Sequence, residues 1–386
     1  QAVYKRHTNF AMETIEQTVN GTAGNDGRVS VTVARNGDLI GDMYVELTTQ
    51  TLATISNNVA ADACWAAERA IKDVELSIGG QRIDKHYQTW WRLYSELYLD
   101  EAKKLNYGKM TSANASTVYL PLIFFFNRNP GLALPLIALQ YHEVRLDFDL
   151  ASDYATYATS AFKVWGNYMY LDTEERRRFA QKGHEYLIEQ VQHTGEDTIE
   201  ANGTKQVRLS YNHPVKELVW CTKRASGTDA LWCFDGVATP PVVALEQASD
   251  NSNVAISTSA TGSPLLLVGG PGCPVWSEEK STRNMKSMKL VLNGQDRMKA
   301  QSGKYFNQVQ PFAHHSGSPA PGIYSYSFAL KPEEHQPTGT CNFSRIDNAQ
   351  VSIEMPASGN TTLAMFAVNY NVLRVQSGMG GLAFSN

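Results

Sequence analysis

The sequence predicts an all-β protein in which one antiparallel β-sandwich, most simply a jelly roll, occurs twice in tandem. Four strand-like blocks recur in the same order, and their offsets vary between 178 and 214 residues, as loops of different length would allow. The paired blocks are residues 29–33 with 207–211, 75–78 with 289–292, 144–148 with 351–355, and 167–171 with 369–373. The second observation is a series of short segments, bounded by turns, in which apolar and polar residues alternate. The third is that the connecting loops are long for a simple meander, which favours a jelly roll.

Predicted strands are the segments in which apolar and polar residues alternate between turns rich in Gly, Pro, Asn and Ser. In the first half they are residues 28–34, 38–48, 72–78, 117–126, 132–139, 142–149 and 162–171. In the second half they are residues 205–211, 215–222, 286–292, 322–330, 349–355 and 363–374. At 386 residues the chain is long for one domain and sufficient for two, each with its own core.

A helix is predicted over residues 89–100, which carry a stripe of apolar side chains at helical spacing. The stripe consists of Trp90, Leu93, Tyr94, Leu97 and Tyr98. Because the stripe is mainly aromatic, we interpret it as packing in a core or an interface and not as a ligand site.

A second helix is predicted over residues 173–182, between the two copies. Asp172 is its expected N-cap, and Glu175 at the third helical position completes a capping box. We therefore predict an N-terminal jelly roll over residues 1–182, with this helix as the connector, and a C-terminal jelly roll over residues 183–386. Residues 223–284, rich in Ala, Ser, Thr, Gly and Pro, are predicted to be an exposed insertion.

The composition indicates a protein whose surface is covered by other chains. Charged residues are 19% of the chain, below the roughly 25% that is usual, while the chain holds 18 Tyr and 7 Trp. Aromatic residues used as strand formers explain the same numbers equally well. The net charge of −4 argues against general binding to the nucleic-acid backbone. The uncharged apolar stretches are too short to span a bilayer, so no membrane insertion is expected.

No catalytic, cofactor-binding or metal-binding constellation is found in the sequence. The five cysteines form no CxxC pair, which fits folding in a reducing compartment. The dipeptides at His142 and His184 do not extend to HExxH, and no GxSxG elbow or complete phosphate loop occurs. The adjacent His314 and His315 would point to opposite faces of a strand, unlike the His-x-His pair of cupin metal sites.

Asn-x-Ser/Thr sequons occur at five positions, where they are also expected by chance. They begin at Asn20, Asn114, Asn202, Asn342 and Asn360. We take Asn360, Asn202 and Asn114 as the candidates for glycosylation, and Asn360 is the one most expected on an exposed loop tip.

Several long blocks resemble the major capsid proteins of large icosahedral nucleocytoplasmic DNA viruses, in particular the algal (chlorella-virus-like) branch. The matching text is YKRHTNFA at 4–11, GQRIDKHY at 80–87, PGLALPLIALQYHEV at 130–144, HEYLIEQ at 184–190, LNGQDR at 292–297, residues 328–332, GTCNFSRIDNA at 339–349 and NYNVLRVQSGMGGLAF at 369–384. The resemblance covers essentially the whole chain. The insertion 223–284 matches least well.

The resemblance implies two tandem eight-stranded antiparallel jelly rolls and a structural role in the virion. In that family three chains form a trimer whose six jelly rolls make a pseudo-hexagonal capsomer, and capsomers tile an icosahedral shell. It further implies no enzymatic activity and no cofactor, contacts with minor capsid proteins, possible covalent glycans, and assembly in the host cytoplasm. Since Gln1 is not an initiator Met and family members usually begin with an additional arm, an N-terminal segment ahead of Gln1 is expected.

Candidate interface residues are those that a free monomer would not leave exposed. They are Trp90, Trp91 and Tyr94 of the first predicted helix, and Met379 and Phe384 of the C-terminal segment 375–384. Packing within the chain is an equally good explanation for both groups.

Three alternative functions remain open at this point. A carbohydrate-binding jelly roll would need a shallow site of aromatic and carboxylate groups. A cupin-like enzyme is disfavoured by the missing His-x-His. A minor capsid or vertex protein of the same fold would differ only in its copy number in the particle.

Overall fold

The structure is a computed structural model that describes residues 3–5, 7–50, 65–112, 115–224, 255–258, 264–267, 285–320, 322–356 and 360–385. Within these ranges it is dominated by antiparallel strands, and no helix combines the length and apolarity needed to cross a membrane. The all-β prediction is therefore confirmed.

The first ten strands, which we call the first repeat, form two sheets around a shared apolar core. They are β1 Phe10–Glu16, β2 Val19–Asn20, β3 Arg28–Thr32, β4 Leu39–Thr49, β5 Ile71–Ile78, β6 Gln81–Tyr87, β7 Thr117–Pro121, β8 Leu134–Pro135, β9 Val144–Leu150 and β10 Ala158–Leu171. One sheet has the order β1-β10-β4-β7, with β8 beside β4, and the other has the order β2-β3-β9-β5-β6.

The remaining strands, which we call the second repeat, reproduce this arrangement. They are β11 His184–Ile199, β12 Thr204–Arg208, β13 Pro214–Arg224, β14 Ala255–Thr258, β15 Pro264–Leu267, β16 Ser287–Leu292, β17 Gln295–Asp296, β18 Gln301–Ser302, β19 Ile323–Ser327, β20 Cys341–Asn342, β21 Ala349–Glu354, β22 Thr361–Gln376 and β23 Met379–Leu382. The sheets have the orders β11-β22-β13-β19 and β12-β21-β16-β17, while β14 and β15 pair with each other.

Short helices occupy the connections. They are α1 Ala66–Ala70, α2 Gln88–Leu97, α3 Glu101–Thr111, α4 Phe125–Arg128, α5 Tyr154–Tyr157, α6 Thr173–Gln181 and α7 Gln310–His314, which follows a π-helical turn at Tyr305–Val309. The helix α6 lies between β10 and β11, and the side chain of Asp172 caps it by accepting from the N–H of Thr173.

The four recurring sequence blocks lie on strands that occupy the same place in the two repeats. β3 corresponds to β12, β5 to β16, β9 to β21 and β10 to β22, because each pair holds the same position in the sheet orders. In one block the register is shifted by a residue. Tyr168 faces the core of its own repeat, whereas Tyr370 lies on the opposite face of its sheet, over the Lys216 ammonium. The sequence offset therefore identifies the strand but not the face.

Residues 132–139 are not the predicted strand. They form 3-10 turns at Pro130–Leu132 and Leu136–Ala138, separated by the two-residue β8. Pro130 and Pro135 have no N–H to donate to a ladder, so a long central strand cannot form there. For a related reason the predicted strand 117–126 ends at Pro121 and is followed by α4.

Four of the elements with seven or more residues were not predicted: β1, β6, β11 and α3. Several shorter strands and helices, such as β2, β23 and α1, were not predicted either. The predicted helix 89–100 corresponds to α2, and the chain then begins α3 with Asp100 as its cap, whose side chain accepts from the Lys103 N–H at 2.8 Å. The predicted insertion 223–284 lies outside the described residues, apart from the main chain of Lys223, Arg224, β14 and β15.

The apolar core shows that the two repeats pack on each other. The core of the first repeat continues into residues of the second repeat, including Val219, Phe366 and Val368, while the interior of the second repeat forms a separate cluster around Trp220 and Phe306. The sheet β11-β22-β13-β19 is consequently covered on both faces. This explains why β22 is buried along almost its whole length.

Candidate functional site: the interface between the repeats

Aromatic side chains of the first repeat cover the outer face of the sheet β11-β22-β13-β19. The indole of Trp90, on α2, lies 5.7 Å from the ring of Phe366. Tyr87, at the end of β6, meets His193 edge-on at 5.0 Å. Because large aromatic side chains remove much apolar area from water, this contact holds the two repeats together independently of the connector helix.

An ion triad, in which Glu189 and Lys216 are buried and Arg128 is partly exposed, joins the repeats beside these rings. Glu189 of β11 accepts from the guanidinium of Arg128 on α4 at 3.0 Å and from the Lys216 ammonium on β13 at 2.6 Å. Burial raises the pKa of the Glu189 carboxyl, but the two cations outweigh burial and hold the pKa below its usual value. For Lys216, burial dominates over Glu189 and lowers the ammonium pKa.

A second charged cluster is centred on His315, whose side chain is fully buried. Its Nε2 lies 2.8 Å from a carboxylate oxygen of Glu217, and its Nδ1 lies 3.2 Å from Glu333. The ring also meets Tyr98 of the first repeat edge-on at 5.0 Å. Burial lowers the pKa of His315, but Glu217 and Glu333 more than compensate and raise it to about 9. At neutral pH the imidazole is therefore charged, and both ring nitrogens donate.

The chain of the second repeat approaches α2 very closely at Gly317. The Gly317 N–H donates to the carbonyl oxygen of Leu97 at 2.9 Å. A Cβ on this glycine would lie under 3.0 Å from the carbonyl oxygens of Glu96, Leu97 and Leu99. Only a residue without a side chain fits between the loop and the end of the helix.

We predict that Gly317→Ala separates this loop from α2 and lowers the free energy of unfolding by about 1–3 kcal/mol, since the three backbone oxygens cannot move independently. Chemical denaturation of the purified protein measures the loss. Gly294→Ala does not serve as a control because Gly294 has a positive φ, so Gly108→Ala is the better comparison. No atom lies within 4 Å of a Cβ on Gly108, which is in α3, and that substitution should stabilise slightly.

The C-terminal segment also connects the repeats. The N–H of Gly380 donates to Nδ1 of His142 at 3.1 Å, and the Leu382 N–H donates to the side chain of Gln81 at 3.1 Å. The Tyr141 N–H donates to the Gly378 carbonyl at 2.9 Å. The strand β23 thus adds an edge to β22 and binds it to the first repeat.

The predicted interface residues fall into two groups. Trp90 and Trp91 are each 2% exposed, so the chain itself covers them and packing within the chain accounts for both. Tyr94 is half-buried, with the Arg128 guanidinium over its ring. Met379 and Phe384 remain at least half exposed and stay candidates for contact with another chain.

Two of the three predicted glycosylation candidates lie on neighbouring loops. Asn202 and Asn360 are both exposed, and the Asn360 side chain accepts from the Ala201 N–H at 3.4 Å. Asn202 has a positive φ of 56°. Asn114 lies outside the described residues.

The histidines singled out in the sequence have roles in packing. His142 bonds to Gly380, and His184 bonds to the Phe179 carbonyl at 2.9 Å. His314 and His315 lie at the end of α7 and not on a strand. In the part of the chain that the structure describes, no group of three or more His, Cys, Asp or Glu is placed to hold a metal ion.

The sequence did not reveal that Glu189, Lys216, Glu217 and His315 form buried ionic contacts. Each is a charged residue in a strand or turn, where it would ordinarily face solvent. The one available signal was the position of Lys216 and Glu217 inside the apolar run of β13, since paired charges in a buried strand need partners from elsewhere.

Comparison with known proteins gives matches along the entire chain. Residues 1–173 match the family model of the major capsid protein N-terminus, and residues 175–381 match that of the large eukaryotic DNA virus major capsid protein. The chain is 43% identical over 431 residues to the major capsid protein of Paramecium bursaria Chlorella virus 1, covering all of this chain and 94% of the relative. The major capsid protein of Pyramimonas orientalis virus is 40% identical over 429 residues, covering all of this chain and 93% of that relative.

Solved structures show the same fold. A chain of the quasi-atomic model of the PBCV-1 virus capsid aligns with a TM-score of 0.76 at 38% identity, covering 100% of this chain and 99% of that one. The Faustovirus major capsid protein aligns with a TM-score of 0.70 at 12% identity, covering 97% of this chain and 92% of that one, a likeness in fold alone. The prediction of two tandem jelly rolls is thereby confirmed.

Proposed function

The chain belongs to the family of major capsid proteins of large eukaryotic DNA viruses and is a structural subunit of the icosahedral shell; from this premise we propose that three copies associate into a pseudo-hexagonal capsomer. The observation that carries the proposal is the duplication itself. One chain supplies two jelly rolls with the same strand order, so a ring of three chains presents six similar walls to its neighbours.

Within this proposal, association inside the trimer is stronger than association between trimers. A permanent trimer interface should bury at least about 2,000 Å² per pair of chains. At about 25 cal/mol per Å² this area gives a large favourable hydrophobic free energy. The ordering of interface side chains and the loss of translational and rotational entropy offset much of it. Contacts between trimers would be smaller and more polar, so that a misplaced capsomer can dissociate.

The finer features of the function follow the same proposal. The relatives are structural capsid proteins and components of the virion, and we assign no catalytic activity or cofactor to this chain. Minor capsid proteins are the proposed further partners, the exposed Asn202 and Asn360 the proposed glycan sites, and the host cytoplasm the proposed place of assembly. Met379 and Phe384 are proposed to contact a neighbouring chain, because both lie on the exposed side of the C-terminal segment.

The native mass of the purified protein tests the trimer. Light scattering coupled to size exclusion should find a species near three times 42.7 kDa that persists on dilution. Raising the salt concentration should weaken association between trimers while leaving this species intact, because screening acts on polar contacts. A monomer that persists at high protein concentration would contradict the proposal.

A further inference from the structure

The two equivalent sheets of the repeats differ in what covers their outer faces. The outer face of β11-β22-β13-β19 is covered by β6, α2 and α4 of the first repeat. The outer face of β1-β10-β4-β7 has no such cover among the described residues. Burial reflects the difference, because β22 is buried almost throughout whereas β10 alternates between buried and accessible residues. The same face is thus filled in one repeat and open in the other.

The open face carries exposed apolar and aromatic side chains among its polar ones. Phe10 and Met12 on β1 are 57% and 55% exposed. The face carries two apolar rows: Met12 of β1 lies opposite Met169 of β10, and Trp165 of β10 lies opposite Tyr44 of β4. Tyr119 extends the second row to β7 through an edge-on contact with Tyr44 at 5.7 Å. The hydrogen-bonded pair Thr14 and Asn167 lies between the two rows. Large exposed apolar patches of this kind mark interaction sites.

The matching half of such a contact lies on the second repeat. Two connections of the second repeat occupy the same places in the chain order as connections of the first. The π turn and α7, between β18 and β19, correspond to α2, which lies between β6 and β7. Residues 328–340, between β19 and β20, correspond to α4, which lies between β7 and β8. In the first repeat these connections carry Trp90 and Arg128, which cover the neighbouring sheet. In the second repeat they expose Val309, Phe312 and Leu330, of which Phe312 is 93% and Leu330 75% exposed.

We propose that the outer face of the sheet β1-β10-β4-β7 binds the Val309, Phe312 and Leu330 patch of a second copy of this chain. The contact repeats between chains the packing that already joins the two repeats within one chain. The contact joins different surfaces of the two copies, so each copy can bind a further one. Such head-to-tail assembly either closes into a ring or continues as an open filament. The inference rests on the proposed trimer, in which three copies close the ring. It identifies the two surfaces that form the interface between neighbouring copies in that ring.

A second copy is favoured over an unrelated partner for two reasons. The internal contact shows that these folds present complementary faces to each other, with aromatic side chains on connections packing against an outer sheet face. An acid and a base also flank the two surfaces: the exposed Glu16 ends β1, while Lys331 follows Leu330, is two-thirds exposed and pairs with Glu334 of its own chain at 3.2 Å. The contact pairs acid with base around an apolar centre, as interfaces commonly do.

Photo-crosslinking tests the proposal on the full chain. With p-benzoylphenylalanine in place of Phe312, irradiation should give covalent species of two and three chains, and mass spectrometry should locate the link in β1, β4, β7 or β10. The same photoreactive residue in place of Leu105, which is 60% exposed on α3, is the matched control and should give no links to those strands. Links from position 312 confined to one chain, or to other strands of a second chain, would overturn the proposal.

Substitutions provide a second, independent measurement. Phe312→Asp and Met12→Asp should each raise the concentration at which the trimer dissociates by at least tenfold, with an unchanged circular dichroism spectrum, because both side chains are exposed in the single chain. Leu105→Asp should leave it unchanged. If the wild-type protein is a trimer and neither variant weakens it, this inference fails while the capsomer stands. If the wild-type protein is monomeric, the proposed function fails as well.

Discussion

Replacing Glu189 by alanine is expected to lower the free energy of unfolding by about 3–5 kcal/mol. The substitution leaves the Lys216 ammonium, which is 1% exposed, without its carboxylate partner and removes the acceptor of Arg128. Breaking a buried ion pair from one side has this effect because the remaining charge has lost both water and its counter-ion. Chemical denaturation at neutral pH, followed by tryptophan fluorescence, measures the loss.

The same strand offers a matched control. Glu185 also lies on β11 and also forms an ion pair, with Arg374 of β22 at 2.8 Å, but both side chains are more than half exposed. Glu185→Ala should therefore change the unfolding free energy by only about 0–1 kcal/mol. Equal losses from the two substitutions would mean that the buried triad adds nothing beyond an exposed ion pair, which would contradict the expectation.

The contrast between these two glutamates also shows what the sequence could and could not predict. The alternation in 28–34 or 349–355 is a local property of a strand with one buried face, so it was visible without the structure. Burial of Glu189 depends on Arg128, which is 61 residues away, and on Lys216, 27 residues away. No local pattern encodes these partners, and β11 was missed because its charged residues interrupt the alternation of apolar and polar residues.

A similar limit applies to the candidate surfaces. Trp90 and Trp91 were singled out because large apolar side chains need to be covered, and each is 2% exposed in the chain. Whether the cover comes from the same chain or from another depends on the packing of the two repeats, which residue types do not specify. Conversely, Phe312 attracted no attention in the sequence because one Phe in a short, turn-rich segment is ordinary. Its significance comes from the comparison of equivalent positions in the two repeats.

Stability is expected to fall as pH rises from about 6.5 to about 9, because of His315. In the folded protein its pKa is raised to about 9, whereas in the unfolded chain it returns to about 6.5. Between these values the folded state binds one more proton than the unfolded state, so the stabilisation is complete below pH 6.5 and is lost as the pH passes through 9. The shift corresponds to about 3 kcal/mol. Denaturation curves recorded in steps from pH 6 to pH 9.5 measure it.

His315→Gln isolates this contribution from other groups that titrate at alkaline pH. The glutamine keeps a hydrogen-bond donor near Glu217 but carries no charge, so the variant should be less stable at pH 6 and show a flatter profile between pH 6.5 and 9. Parallel profiles for the two proteins would contradict the assignment. Since the same ring contacts Tyr98 of the first repeat, loss of its charge should also loosen the surface between the repeats. In the wild type, the amide hydrogens of α2 should exchange faster at pH 9 than at pH 7 after correction for the intrinsic exchange rate. This increase should be smaller in the His315→Gln variant.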